Sequence, residues 1–308
     1  MELFDKFKIY KVEIEGNKLN SIDTYIDDLK GFFNYLGIDM QDNDKILSVN
    51  SIQVKQYISY LYDKGNSATT RNRRLTAIKT FYRYLAEEED LTIDYKIFNI
   101  KRAKTQPREA YYLDNDNIEK LVLRTKKIRY KALIIFILTN GARFSDILQV
   151  KVDDILTPKS YDRNGNPVYY VKVIGKRDKE RKLYIDNMHY DTRNILKEYI
   201  DTERKKILER TGVKTDLLFI SNDGNPLNRE NFNRTLKICA KKAGIERWQD
   251  VHPHTLRHSF ATRLLDEGKT IAEVRDLMGH DSIATTNSYV HSAEERRREI
   301  VEGRIWKK

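Results

Sequence analysis

Apolar residues recur along most of this chain at three- and four-residue intervals, the spacing of one face of an α-helix. From Ser21 to Leu36, the residues Ile22, Tyr25, Ile26, Leu29, Phe32, Phe33 and Leu36 keep that rhythm until Gly37 stops it. A second helix is predicted from Ser51 to Leu61, with Ile52, Val54, Ile58 and Leu61 inward and a close at Gly65. The third is the longest. Leu75, Ile78, Phe81, Tyr82 and Leu85 form its stripe, and Ser67 or Thr69 is its expected cap. Residues 1–20 are polar and mixed, and read as a short first helix.

The pattern then breaks. Residues 101–110, K-R-A-K-T-Q-P-R-E-A, have no apolar period and read as a basic linker between domains. Helices resume from Asp114, a cap, to Arg124, and again in the apolar stretch Tyr130 to Leu138; Arg143 opens another after Gly141. Between Val150 and Ile185 the period shortens to two. Val168–Ile174 and Arg181–Ile185 are β-rich runs, with Gly175–Glu180 as the hairpin turn between them and Lys176 at its tip. Asn164–Gly165 marks another turn. Helices return near 193–210, 229–243, 254–268 and 270–278, with a last one, very basic at Arg296, Arg297 and Arg298, over about 293–301. The chain is therefore expected to be mainly α with a small antiparallel β-sheet, as a helical domain (1–100), a linker (101–110) and an α+β domain (111–308).

Composition narrows the class. A chain of 308 residues accommodates two domains, and 40% hydrophobic residues with a mean hydropathy of -0.68 fit a folded soluble protein. Its longest apolar run, Ala132 to Leu138, is far too short for a bilayer, and no export signal opens the chain. Cys239 stands alone, which excludes a disulfide framework and a cysteine-rich metal site. The cytoplasm is the expected compartment. The net charge of +11 is uneven: residues 1–100 carry 14 Lys and Arg against 16 Asp and Glu, so the excess lies in the remainder. A basic remainder suits a polyanion, although charge alone does not separate that from a merely basic soluble protein. Arg71, Arg73, Arg74, Lys79 and Arg83 cluster on the third helix of an otherwise acidic domain, as a phosphate-tracking face or as a solvated one.

The chemistry concentrates between His254 and His291. In H-T-L-R-H-S-F-A-T, His254 and Arg257 are three apart and share a helix face. His280 follows a glycine, and Tyr289 lies nine residues on, in a short polar segment. Imidazole and guanidinium can grip a phosphodiester, and a phenol can act as a nucleophile. His254 and His258 have the i, i+4 spacing of a zinc pair, but Thr255, Leu256 and Arg257 stand between them where a zinc hydrolase needs a glutamate. The acid pair Asp153–Asp154 lacks a partner pattern, and no phosphate-binding G-x-x-x-x-G-K-[ST] is present. No metal and no cofactor are expected.

These residues come in a specific order. T-N-G-A-R-F-S-D holds Arg143; G-K-R-D-K-E-R holds Lys176; H-T-L-R holds His254 and Arg257; M-G-H holds His280; S-Y-V-H holds Tyr289. In that order they resemble the motifs of the tyrosine recombinases, the integrase and Xer family of site-specific DNA recombinases. R-N-R-R-L-T-A-I-K-T-F-Y-R-Y-L resembles that family's core-binding domain, so the likeness spans nearly the whole chain. Asp146 stands where the family often has glutamate, and Asn140-Gly141-Ala142 departs slightly from its usual T-G-L.

The resemblance implies a SAM-like helical clamp domain and a catalytic domain closing on duplex DNA. Tyr289 would attack the phosphorus and release a 5′-hydroxyl. Arg143, Arg257 and His280 would hold the phosphoryl oxygens, with Asp146 supporting Arg143. His254 would be the base and Lys176 the acid for the leaving oxygen. It further implies double-stranded DNA with short inverted-repeat core sites, and a tetramer of this chain or of this chain with a paralogue. The final basic helix would dock on a neighbour. No arm-site domain precedes the clamp domain, which brings the chain nearer the compact Xer resolvases than the longer phage integrases, with chromosome-dimer resolution and mobile-element integration or excision both open as its role. A DNA-binding relative without catalysis and a type IB topoisomerase are the rival readings. All six expected side chains are present, which weighs against the first; strand exchange between two specific sites separates the second.

Overall fold

The computed structural model describes residues 3–16, 19–105, 111–174, 180–185 and 190–278. Two compact units divide it, Met1–Pro107 and Arg108–Lys308.

The first unit is helical. Helix α1 (Leu3–Ile9) runs on through a wider π turn to Ile14; α2 (Leu19–Leu36), α3 (Asn43–Leu47), α4 (Ser51–Asp63) and α5 (Ala68–Glu87) follow, then a 3₁₀ turn at Tyr95–Asn99. The short first helix expected within residues 1–20 is α1, and it inserts Leu3, Phe4 and Phe7 into the core, where Phe4 stacks on Phe81 at 4.7 Å between ring centres. The predicted stripe of α5 is fully buried, and Ser67 rather than Thr69 caps the helix, its hydroxyl accepting from Thr70 N–H at 3.2 Å. Asn50 caps α4 in a capping box with Gln53. One carboxylate, Asp28, goes into this apolar core with 6% exposure. Burial raises its pKa against the pull of Arg73, which pairs with it at 2.5 Å, and of Arg74.

The second unit is built round α7 (Ile128–Asn140), which follows α6 (Asn115–Arg124), capped by Asp114 as expected. Ala132 to Leu138 are apolar on every side and buried on every side. Short helices α8 (Phe144–Ile147) and α9 (Asp153–Leu156) lead into the strands. These form two separate antiparallel pairs rather than the one sheet expected: β1 (Ser160–Tyr161) with β2 (Pro167–Val168), and β3 (Tyr170–Ile174) with β4 (Glu180–Tyr184). The run Val168–Ile174 is interrupted at Tyr169, so its first residue pairs back across the Asn164–Gly165 turn. Val171, Val173, Leu183 and Ile185 carry β3 and β4 onto the core.

Predicted helix 193–210 is α10 (Thr192–Tyr199) and α11 (Lys205–Thr211), joined without a break by a π turn at Ile200–Arg204. Helices α12 (Arg229–Lys242), α13 (Pro253–Asp266) and α14 (Ile271–Met278) complete the described chain, with α10 and α13 packed on α7. The expected helix at 293–301 lies outside the described residues. Among those residues, no helix is long and apolar enough to cross a membrane.

Candidate active site

The geometry starts at the end of α7. Gly141 takes a left-handed φ of +56°, closing the helix with its N–H on the Ile137 carbonyl at 2.8 Å. A side chain there would run into the Phe260 ring of α13, so close packing as well as backbone demands glycine. This tight approach lets Arg257 Nη1 donate to the Gly141 carbonyl, while Nη2 donates to the Met278 carbonyl at 2.7 Å. Arg257 is only 4% exposed, and these bonds orient its fork.

Two residues past Gly141, Arg143 is the N-cap of α8, half-buried. Its own N–H donates to Asp146 Oδ2 at 3.0 Å, so the Asp146 carboxylate, 2% exposed, fixes the backbone that carries Arg143. The same oxygen accepts from Arg181 Nη2 of β4, and Arg181 Nη1 donates to the Met278 carbonyl at 2.5 Å. Arg181 was not among the residues singled out by motif. One signal for it exists in the sequence: strand alternation puts it on the inward face with Leu183 and Ile185, where a charge needs a reason. Burial lowers its pKa, the Asp146 carboxylate raises it, and the Arg143 charge lowers it again.

Helix α13 opens with Pro253 at its first position and His252 as N-cap, Nδ1 accepting from Thr255 N–H at 3.2 Å. That start places His254 one turn before Arg257. Arg229, the first residue of α12, lies 3.0 Å from His254 Nε2. Guanidinium nitrogens only donate, so Nε2 accepts here and His254 is neutral with its proton on Nδ1. Although the residue as a whole is exposed, the ring is hemmed in: partial burial first, then the charges of Arg229, His252, Arg257 and Arg143, push it down to about 4. His258 is likewise pushed down to about 4, by burial and then by His254 and Arg257. Arg229 also escaped the motif reading, and nothing in the sequence round it marks it out.

Arg143, Asp146, His254 and Arg257 are thus brought to one place, with Arg181 and Arg229 added. Lys176, His280 and Tyr289 lie outside the described residues. Among the described residues, no group of three His, Cys, Asp or Glu side chains is gathered that could hold a metal ion.

The cations of α5 sit in the other unit, several of them engaged within it. Lys79 Nζ donates to the carbonyls of Phe98 at 2.7 Å and Ile100 at 2.6 Å, and burial lowers its pKa. Arg73 and Arg74 flank Asp28, and Arg74 donates to Tyr57 Oη at 3.0 Å. Arg71 lies over the Tyr62 ring, and Arg83 over that of Phe98. The first half of the basic 101–110 segment is laid on α5: Ala103 exchanges two hydrogen bonds with the Asn72 amide, and Arg102 donates to Thr76. Residues 106–110 lie outside the described residues.

Comparison with known proteins gives this site its setting. Residues 111–296 match the phage integrase family, and residues 6–89 match the phage integrase N-terminal SAM-like domain. A tyrosine recombinase XerC of Herpetosiphon aurantiacus is 30% identical across 95% of this chain and 91% of its own length. A tyrosine recombinase XerD of Listeria innocua is 28% identical across 97% of both. The solved XerH site-specific recombinase, bound to palindromic difH substrate in a post-cleavage complex, has a TM-score of 0.70 at 25% identity, over 94% of this chain and 81% of that one. A lambda integrase dimer bound to a COC′ core site shares the fold, with a TM-score of 0.66 at 16% identity over 93% of each chain.

These matches define a class of enzyme that cleaves and rejoins DNA through a phosphotyrosyl intermediate. The chain belongs to the phage integrase family, among the Xer tyrosine recombinases. It is a site-specific DNA strand-transferase, and neither an idle binding relative nor a relaxing topoisomerase is favoured.

Proposed function

We propose that Tyr289 is the nucleophile, and that Arg143, Arg257 and His280 hold the scissile phosphate while it reacts. Tyr289 Oη bonds to phosphorus in line, the bond to the 5′-oxygen breaks, and a 3′-phosphotyrosyl ester forms. A phenol with a pKa of about 10 needs a base. His254, neutral and one turn from Arg257, takes that proton on Nε2 in exchange for its bond from Arg229, and Lys176 gives one to the departing oxygen. Religation runs the same steps backwards. Fixed guanidiniums meet the growing negative charge, and the ester conserves the bond, so the scheme uses neither metal nor nucleotide. What supports it is the meeting of Arg143, Arg257 and His254 in one network, although they come from separate parts of the chain.

On this reading residues 1–100 form the DNA clamp, 101–110 the linker and 111–308 the catalytic domain. The α5 face contributes phosphate contacts through Arg71, Arg73, Arg74 and Arg83, with Lys79 beside them. The substrate is double-stranded DNA with short inverted-repeat core sites. It is recombined in the cytoplasm by a tetramer of this chain, or of this chain with a paralogue; a related lambda integrase was solved as a tetramer on a Holliday junction.

The acid role is tested with a 5′-bridging phosphorothiolate, whose sulfur leaves without a proton. Lys176→Ala should cleave the ordinary site poorly and the sulfur-containing site at close to the wild-type rate. No rescue would leave Lys176 a phosphate contact only.

A further inference from the structure

We infer that Arg181 is a positioning residue for the two phosphate-binding arginines, acting on Arg143 through Asp146 and on Arg257 through the Met278 carbonyl. The inference deepens the proposed function and rests on it.

Three observations carry it. Arg181 reaches inward from β4 with 11% of its side chain exposed, opposite the buried Val173 in the ladder. Its two terminal nitrogens serve different ends: Nη2 meets the Asp146 oxygen that also accepts the Arg143 N–H, and Nη1 meets the Met278 carbonyl that also accepts from Arg257 Nη2. One planar fork therefore bridges the carboxylate that sets the Arg143 backbone and the carbonyl that orients the Arg257 guanidinium. Asp146, nearly sealed from solvent, needs a cation, and the cation it has belongs to the strand pair rather than to α8 or α13.

The consequence is a link between elements. The hairpin in which Lys176 lies in sequence is formed by β3 and β4, and Arg181 ties β4 to both arginine-bearing segments. Strand and arginines are thereby held as one body. A guanidinium suits this bridge because its two terminal nitrogens stand apart in one rigid plane, each holding one acceptor, whereas the single nitrogen of a flexible lysine keeps the charge but fixes no such geometry.

The test is Arg181→Lys in the full-length protein, on a duplex carrying an inverted-repeat core site. DNA affinity, melting temperature and the first-order rate of covalent adduct formation are measured together. Affinity and melting should stay near wild type, while the rate falls about a hundredfold, as expected when reacting groups are misplaced by about 1 Å. The discriminating arm places a methylphosphonate at the scissile position. It carries no negative charge, so alignment of the two guanidiniums matters less. The defect of Arg181→Lys should there shrink about tenfold or more, in parallel with that of Arg143→Ala.

A wild-type rate in Arg181→Lys on the ordinary phosphate overturns the assignment. So does a defect of equal size on both substrates accompanied by lower melting, which marks a purely structural role. Failure of the wild-type protein to form any adduct overturns the proposed function itself, and the positioning role with it.

Discussion

Arg257 and Gly141 are 116 residues apart in the chain, yet the guanidinium of one donates to the carbonyl of the other. The bond exists because Gly141 is left-handed and packs without a side chain on Phe260, one turn beyond Arg257 on α13.

Gly141→Ala should therefore weaken both fold and site. Left-handed backbone costs a residue with a Cβ about 1–2 kcal/mol. Overpacking against a buried ring adds about 1–3 kcal/mol. Urea unfolding should show a loss in the range of these two together, and the adduct-forming rate should fall more steeply than DNA affinity, since the carbonyl that anchors Arg257 shifts. An unchanged midpoint would show that the Phe260 contact relaxes freely.

The histidines predict a pH dependence with a definite sign. His254 and His258 are held at about 4 when folded, below the ordinary value of 6.5. In the unfolded chain they take up protons as pH falls through 6.5; in the folded chain they do so only near 4. Their contribution to stability is thus complete above 6.5, is lost as pH falls between those values, and changes little below them. Proton NMR of the DNA-free protein should place the His254 midpoint near 4, and Arg229→Ala should move it upward. Midpoints at the ordinary value in both proteins would remove Arg229 from the account.

Lys79 separates two roles on one helix face. Its two carbonyl bonds tie the segment after α5 to the helix. Hydrogen bonds to a charged group are worth about 1.5–3 kcal/mol. Lys79→Met should lower the melting temperature and leave the salt dependence of DNA binding nearly unchanged, whereas Arg83→Ala should reduce that slope by about one contact. The opposite pattern would make Lys79 the phosphate ligand.

Local signals in the sequence were faithful where one side chain decides the structure. Ser67 and Asp114 cap the helices expected of them, and the α5 stripe is the α5 core face. The motif residues Arg143, His254 and Arg257 meet, although no periodicity could show that. What escaped depends on partners distant in sequence. The first helix is foreseen, but that Phe4 and Phe7 face the core shows only when Phe81 is placed against them. The π turn at Ile200–Arg204 joins two helices with no punctuating glycine or proline. Strand alternation turns Arg181 inward, but what it serves there shows only when α8 and α14 supply Asp146 and Met278.

The most direct measurement captures the covalent intermediate and identifies its residue. A nicked core-site duplex that loses a short leaving strand should trap the protein on DNA through a bond stable to denaturing gel electrophoresis. Protease digestion followed by mass spectrometry should locate the nucleotide on Tyr289, and Tyr289→Phe should bind the site yet form no adduct. Attachment at another residue, or an adduct that survives in Tyr289→Phe, would contradict the account.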